Sequence, residues 1–168
     1  MSVKRLTRLS LLTALALILF TVELQLPALA PIPGVKLGLA NIITVYAMFA
    51  LGPADTAAVL LARIVLGAVF SRQPSSLLYS LAGGTLCYLA MLPCRRLLSL
   101  RQLWLCSVIG AVFHNLGQLG MAILITRTPA LIGYLPILLL TGVPAGVFTG
   151  LCAQLVVNRL ARPAPSGP

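Results

Sequence analysis

One histidine, His114, and two carboxylates, Glu23 and Asp55, make up the acid–base chemistry of this 168-residue chain. His114 stands in GAVFHNLGQLG, four residues before Gln118 and next to Asn115. Residues four apart share a helix face, so His114 and Gln118 point the same way and suit hydrogen bonding, to a neighbouring helix or to a ligand. No second metal ligand stands at a useful spacing from His114, and no metal is expected. Work on a diphosphate through magnesium needs several carboxylates, because that hard cation is held by oxygen ligands. Two acids on different helices cannot build an aspartate-rich site. There is no G-x-x-x-x-G-K-[ST] loop to cradle a nucleotide phosphate. Cys87, Cys94, Cys106 and Cys152 form no C-x-x-C pair and adjoin no histidine, which reads as small buried hydrophobes. A stand-alone enzyme is not expected, nor a cofactor; binding or transport is favoured.

The remaining chemistry is polar and sits in apolar surroundings. Arg63 lies in AAVLLARIVLGAVF, where an arginine at the centre of a spanning helix costs ~2.5–3.5 kcal/mol to insert. Ionisable groups at such depth are functional by default. Arg63 can pair with Glu23, contact a ligand, or do both. Asn41 and Thr44 add polar groups to ANIITVYAMFA, and YSLAGG, from Tyr79 to Gly84, sets hydroxyls beside small residues. Gly110, Gly117 and Gly120 around His114 suit close approach of another helix.

The elements that position these groups follow from composition. Hydrophobic residues make up 60% of the chain and charged residues 8%. A soluble domain carries about 25% charged residues, so this chain cannot cover a water-facing surface. Apolar runs near the ~20 residues that cross a bilayer recur along its length. The expectation is one all-α integral membrane domain over residues 1–168, an integral bundle of six transmembrane helices. Their spans fall at roughly Leu6–Leu26, Leu37–Leu51, Ala54–Phe70, Leu77–Leu92, Leu103–Ile125 and Leu131–Val157.

With the N-terminus cytoplasmic, Lys4, Arg5, Arg8, Arg95, Arg96, Arg101, Arg159 and Arg162 fall inside. Lys36, Arg72 and Arg127 fall outside. That asymmetry obeys the positive-inside rule and puts both termini in the cytoplasm of a bacterial cell membrane. The formal charge of +10 is therefore topological and implies no nucleic acid. Lys4, Arg5 and Arg8 before an apolar run, with Ala28-Leu29-Ala30 after it, also outline a cleavable signal peptide. An uncleaved first helix is preferred, because it keeps the number of spans even.

ALAPIPGVKLGLANIITV, residues 28–45, then becomes an outer turn. Pro31 and Pro33 stiffen it, Gly34 turns it, and Lys36 begins the second helix at the outer surface. Lys36, Arg72 and Arg127 mark different outer loops or helix ends, and three cations around one mouth would attract an anion or a polar-headed ligand. Snorkelling to lipid headgroups is the alternative use of those cations.

PGVKLGLANIITVYAMFALGP, ARIVLGAVF, SLLYSLAGG and FHNLGQLGMA together resemble the small membrane family called Gx transporters, often labelled heptaprenyl diphosphate synthase component I. The resemblance covers nearly the whole chain. That family in turn is similar to the substrate-binding S components of energy-coupling-factor (ECF) vitamin importers. This implies an S-component-like six-helix bundle with an outer pocket for a small-molecule substrate, its candidate residues Lys36, Asn41, Arg63, Arg72, Tyr79, His114, Asn115 and Gln118. It also implies partners: a membrane scaffold protein with two ATPase subunits, met through a small-xxx-small motif on helix one. Ser10 and Ala14 have that spacing, with Ser in place of the usual Ala. The synthase label implies instead a non-catalytic membrane subunit in isoprenoid or quinone synthesis, and a flavin or quinone redox role is a third expectation.

Overall fold

A computed structural model describes residues 2–25, 38–71 and 74–160. Its helices are α1 (Val3–Gln25), α2 (Asn41–Ala50), α3 (Pro53–Ser71), α4 (Pro74–Leu97), α5 (Leu103–Thr126) and α6 (Leu135–Leu160). Short 3-10 turns, Leu100–Gln102 and Pro129–Tyr134, lead into α5 and α6. No strand occurs among the described residues. The five longer helices are long and apolar enough to cross a membrane. Lys36, Arg72 and Arg162 lie outside the described residues.

The expected second span, 37–51, is a helix of 10 residues. It rises only ~15 Å, half of the ~30 Å hydrocarbon layer. Its packing accounts for its length: α2 touches all five other helices, while α1, α3, α4, α5 and α6 pack in that order around it. A helix enclosed by others meets little lipid, so the thickness of the bilayer does not set its length. Val45, Ala47 and Met48 are almost wholly buried. Met48 and Val45 join Cys87, Met91, Leu103 and Cys106 in the main apolar core. The ring is open between α1 and α6, where a cleft of about 580 Å³ is lined by Arg8, Leu11 and Leu12, by Tyr46 and Phe49, and by Val157 and Leu160.

Two clamps join the helices at one end. Arg5 in the first turn of α1 donates to Asp55 Oδ1 in the first turn of α3, from Nε at 2.8 Å and Nη2 at 2.5 Å. The α2–α3 turn passes under α4: Tyr88 donates its hydroxyl to the Pro53 carbonyl at 3.2 Å. The Arg95 guanidinium lies 3.5 Å from where a Cβ on Gly52 would stand. Lys4, Arg5, Arg8, Arg95, Arg96, Arg101 and Arg159 all belong to helix ends or turns at this basic end. Arg127, which closes α5 with a φ of 52°, stands at the opposite, far end.

Polarity runs opposite to that of a soluble protein. Glu23, Arg63, His114, Asn115 and Gln118 are buried, whereas Leu61, Val65, Val69, Leu124, Leu140 and Leu155 are exposed. Apolar side chains turned outward around a polar interior suit a protein whose solvent is lipid.

Candidate functional site

The start of α2 builds the site. Ala40, the residue before α2, offers no side-chain cap. The Asn41, Ile42 and Ile43 amides bond to the Gly38, Leu39 and Ala40 carbonyls, which leaves the Gly38 and Leu39 amides to find acceptors from elsewhere. Glu23, three residues before the expected outer limit of α1's apolar run at Leu26, supplies them. Its Oε1 accepts from the Gly38 amide, and its Oε2 accepts from the Leu39 amide at 3.2 Å. A carboxylate here also complements the positive end of the α2 dipole. Gly38 adopts φ 81°, in the left-handed region that disfavours side chains, and this turns the chain into α2.

Polar side chains from α2 and α5 gather on that turn. A Cβ on Gly38 would lie 2.8 Å from Asn41 Nδ2 and 3.5 Å from His114 Cδ2. On its other side, the His114 ring meets Gly83 of α4. A Cβ there would stand 3.0 Å from His114 Cε1 and 2.8 Å from Gln118 Cγ. The imidazole is thus held between Gly38 of the turn before α2 and Gly83 of α4, with Gln118 on the same face, as their spacing predicts. Gly84, next in the chain, would place a Cβ 3.0 Å from Ile64 Cδ1, bringing the Arg63 turn of α3 against the same part of α4.

Arg63 is only 5% exposed, and its Nε and Nη2 have no hydrogen-bond partner. Asn41 Oδ1 is buried and equally unpartnered. Glu23 is the carboxylate whose charge acts on Arg63 through space. The two form no direct ion pair; among the described residues the ion pair is Arg5–Asp55. Of the two fates expected for Arg63, direct pairing with Glu23 is the one the geometry does not contain. Arg63 thus leaves buried donors unused and Asn41 a buried acceptor, chemistry that would suit a group bringing oxygens to the one and an N–H or O–H to the other.

The other candidates fall elsewhere. Asn115 turns away from His114 toward α6, donating Nδ2 to the Leu138 carbonyl at 2.8 Å over Gly142, a tie between helices. Tyr79 is buried with Leu119, Ala122 and Leu138 in a separate apolar cluster between α4, α5 and α6. Gly110 and Gly117 do admit close neighbours, whereas Gly120 has nothing within 4 Å of its Cβ position, a correction to the expected close approach there. Ser10 and Ala14 are exposed on α1. Lys36 and Arg72 are outside the described residues, so the expected ring of three cations is represented by Arg127 alone among them.

Sequence reasoning missed three features. Glu23 serves as the acceptor for the α2 turn, Gly83 seats His114, and Arg5 forms the basic-end clamp with Asp55. The first had a legible signal, a lone acid shortly before a Pro- and Gly-rich turn.

Among the described residues no three His, Cys, Asp or Glu side chains gather as a metal site. Comparison with curated proteins and with solved structures returns no match. The model of the family described as heptaprenyl diphosphate synthase component I matches residues 12–156, a range that takes in Glu23, the α2 turn, Arg63, Gly83, His114 and Gln118. On that match, the chain belongs to the heptaprenyl diphosphate synthase component I family.

Proposed function

We propose that this chain is the solute-binding membrane subunit of an ECF-type importer, taking a small vitamin-like, amphipathic or anionic solute from the outer face of the bacterial cell membrane. The observation that carries this reading is the burial of Asn41, Arg63, His114 and Gln118 inside the bundle, with Arg63 and Asn41 holding unused hydrogen-bonding atoms. Unmet polar groups are costly inside a bundle. A bound solute would satisfy them. Lys36, Arg72 and Arg127 would draw the solute to the outer mouth, and Tyr79 and Asn115, which lie away from the polar residues, would hold α4, α5 and α6 together around the pocket. The basic end then faces the cytoplasm, consistent with the positive-inside rule. Ser10 and Ala14, exposed on α1, would meet the scaffold protein that carries the two ATPase subunits.

The family description favours a second reading, a membrane component of a prenyl diphosphate synthase that is not itself catalytic. The two carboxylates bear on its chemistry. Glu23 is engaged at the α2 turn and Asp55 is clamped by Arg5. Arg5 and Glu23 stand eighteen residues apart on α1, roughly 27 Å along the helix. Acids so placed cannot share a magnesium–diphosphate pair, and the catalytic carboxylates of a synthase would come from the partner.

Native mass spectrometry of the gently purified protein separates these readings. A retained small molecule supports solute binding. Co-purification with a prenyl synthase or a flavoprotein, and no retained small molecule, rejects it.

A further inference from the structure

The unused donors of Arg63 are a particular pair. Nε and Nη2 lie along one side edge of the guanidinium, where their N–H bonds run nearly parallel and match two oxygens of one oxyanion. Both are buried and unpartnered. Arg5 shows the same edge turned to a carboxylate within this chain, with Nε and Nη2 both donating to one oxygen, Asp55 Oδ1. Glu23 does not fill that place on Arg63: Nε and Nη2 have no partner, and the Glu23 oxygens accept instead from the Gly38 and Leu39 amides. Asn41, whose amide nitrogen lies against Gly38 in the same turn, adds an unused acceptor at Oδ1.

We infer that the solute is an oxyanion, a carboxylate or a phosphate, gripped side-on by Nε and Nη2 of Arg63, and that it carries an N–H or O–H donor for Asn41 Oδ1. This rests on the solute-binding reading and narrows it to a chemical class. The remaining charge of the solute is met at short range by one cation and opposed by one carboxylate that is already hydrogen-bonded, so a single acidic group fits better than several. Burial excludes water from the fork, where charge-assisted bonds are strongest. A lysine would keep the charge but lose the fork.

The test follows thermal unfolding of the purified full-length chain in detergent, with acetate, benzoate or inorganic phosphate, and with the neutral acetamide and benzamide. An acid is expected to raise the melting temperature in a concentration-dependent way while its matched amide does not. Benzoate or acetate acting alone identifies a carboxylate site, and phosphate acting alone a phosphate site. Arg63→Lys is expected to weaken the active acid by about 10- to 100-fold, the loss of one hydrogen bond to a charged group. Arg63→Gln, with donors but no charge, provides the second variant should the lysine protein not insert. Equal stabilisation by acid and amide, or an unchanged response in both variants, overturns the inference. Native mass spectrometry keeps the two failures apart. A retained molecule without an acidic group overturns the oxyanion assignment and leaves solute binding standing. Protein that retains no molecule and responds to no probe overturns both.

Discussion

A buried carboxylate in an apolar helix needs donors, and Glu23 finds them in the amides of Gly38 and Leu39. Hydrogen bonds to a charged group contribute ~1.5–3 kcal/mol each. Glu23→Leu is therefore expected to lower stability by ~2–5 kcal/mol, read as a fall in melting temperature and membrane yield. Adding Arg63→Leu should not restore it, since the two stranded amides remain. Full recovery in the double variant would show that the two residues serve mainly to neutralise each other, because replacing both members of a buried pair with apolar residues can be neutral. Gly38→Ala tests the same turn from the backbone. A left-handed non-glycine residue costs roughly 1–2 kcal/mol, and the new methyl would meet Asn41 Nδ2 at 2.8 Å. An unchanged melting temperature for that variant would contradict the turn geometry. At this scale the sequence was legible wherever a group was chemically out of place. Arg63, His114, Gln118 and Asn41 stood out against apolar neighbours, and all four are buried. What spacing could not reveal was direction. Asn115 adjoins His114 in the chain but lies 100° round the helix, so it serves α6 instead.

The pairings of helices rest on small residues more than on amphipathic stripes. Gly142, Gly146 and Gly150 recur every fourth residue on α6 and lie against α5. A Cβ would stand 2.9 Å from Ala111 Cβ at Gly146 and 2.6 Å from Trp104 Cα at Gly150. In lipid there is no hydrophobic force between helices, so such backbone proximity supplies van der Waals packing that drives association. Between the same helices, Ser107 and Thr149 bring their hydroxyls within 3.0 Å. Gly150→Ala is expected to cost ~1–3 kcal/mol, because the obstacle is backbone that cannot rotate away. Gly120→Ala, with open space at its Cβ position, should be neutral or stabilising by up to ~1 kcal/mol. Thermal unfolding of the two variants side by side checks this contrast, and equal losses would refute the assigned seam. GVPAGVFTG announces that seam in the sequence, but a run of glycines gives no sign of which neighbour it faces. The length of α2 was equally hidden. Hydropathy reads apolar content, and an enclosed helix of 10 residues looks like the middle of a spanning one. Contact with all five others explains the difference.

The whole molecule places both described chain ends together, with Arg8 of α1 and Leu160 of α6 lining the same cleft. Five long helices alone would leave the ends on opposite sides. The segment from Gly38 to Asp55 makes up the even number. It begins at Glu23 and finishes at the Arg5 clamp, so it travels along the same stretch of bundle that α1 covers in eighteen residues. Seven of the described cations cluster where the chain ends meet (Lys4, Arg5, Arg8, Arg95, Arg96, Arg101 and Arg159), against Arg127 at the far end. Positive loops are retained in the cytoplasm, so this end should be cytoplasmic. A reporter protein fused after residue 168 is expected to be active only if it works in the cytoplasm: a fluorescent protein should glow, and alkaline phosphatase should stay silent. A cysteine introduced in place of Thr128, at the far end, should react with a membrane-impermeant maleimide in intact cells, once the outer membrane of a double-membraned host is opened. One placed at Ser99 should react only after lysis. The reverse labelling pattern would overturn the orientation. Labelling of both positions in intact cells would show two orientations and remove the fixed outer mouth that the solute-binding reading requires. A mature chain found to begin near Pro31 would be more damaging still, since it would remove Glu23 and with it the acceptor on which the α2 turn is built.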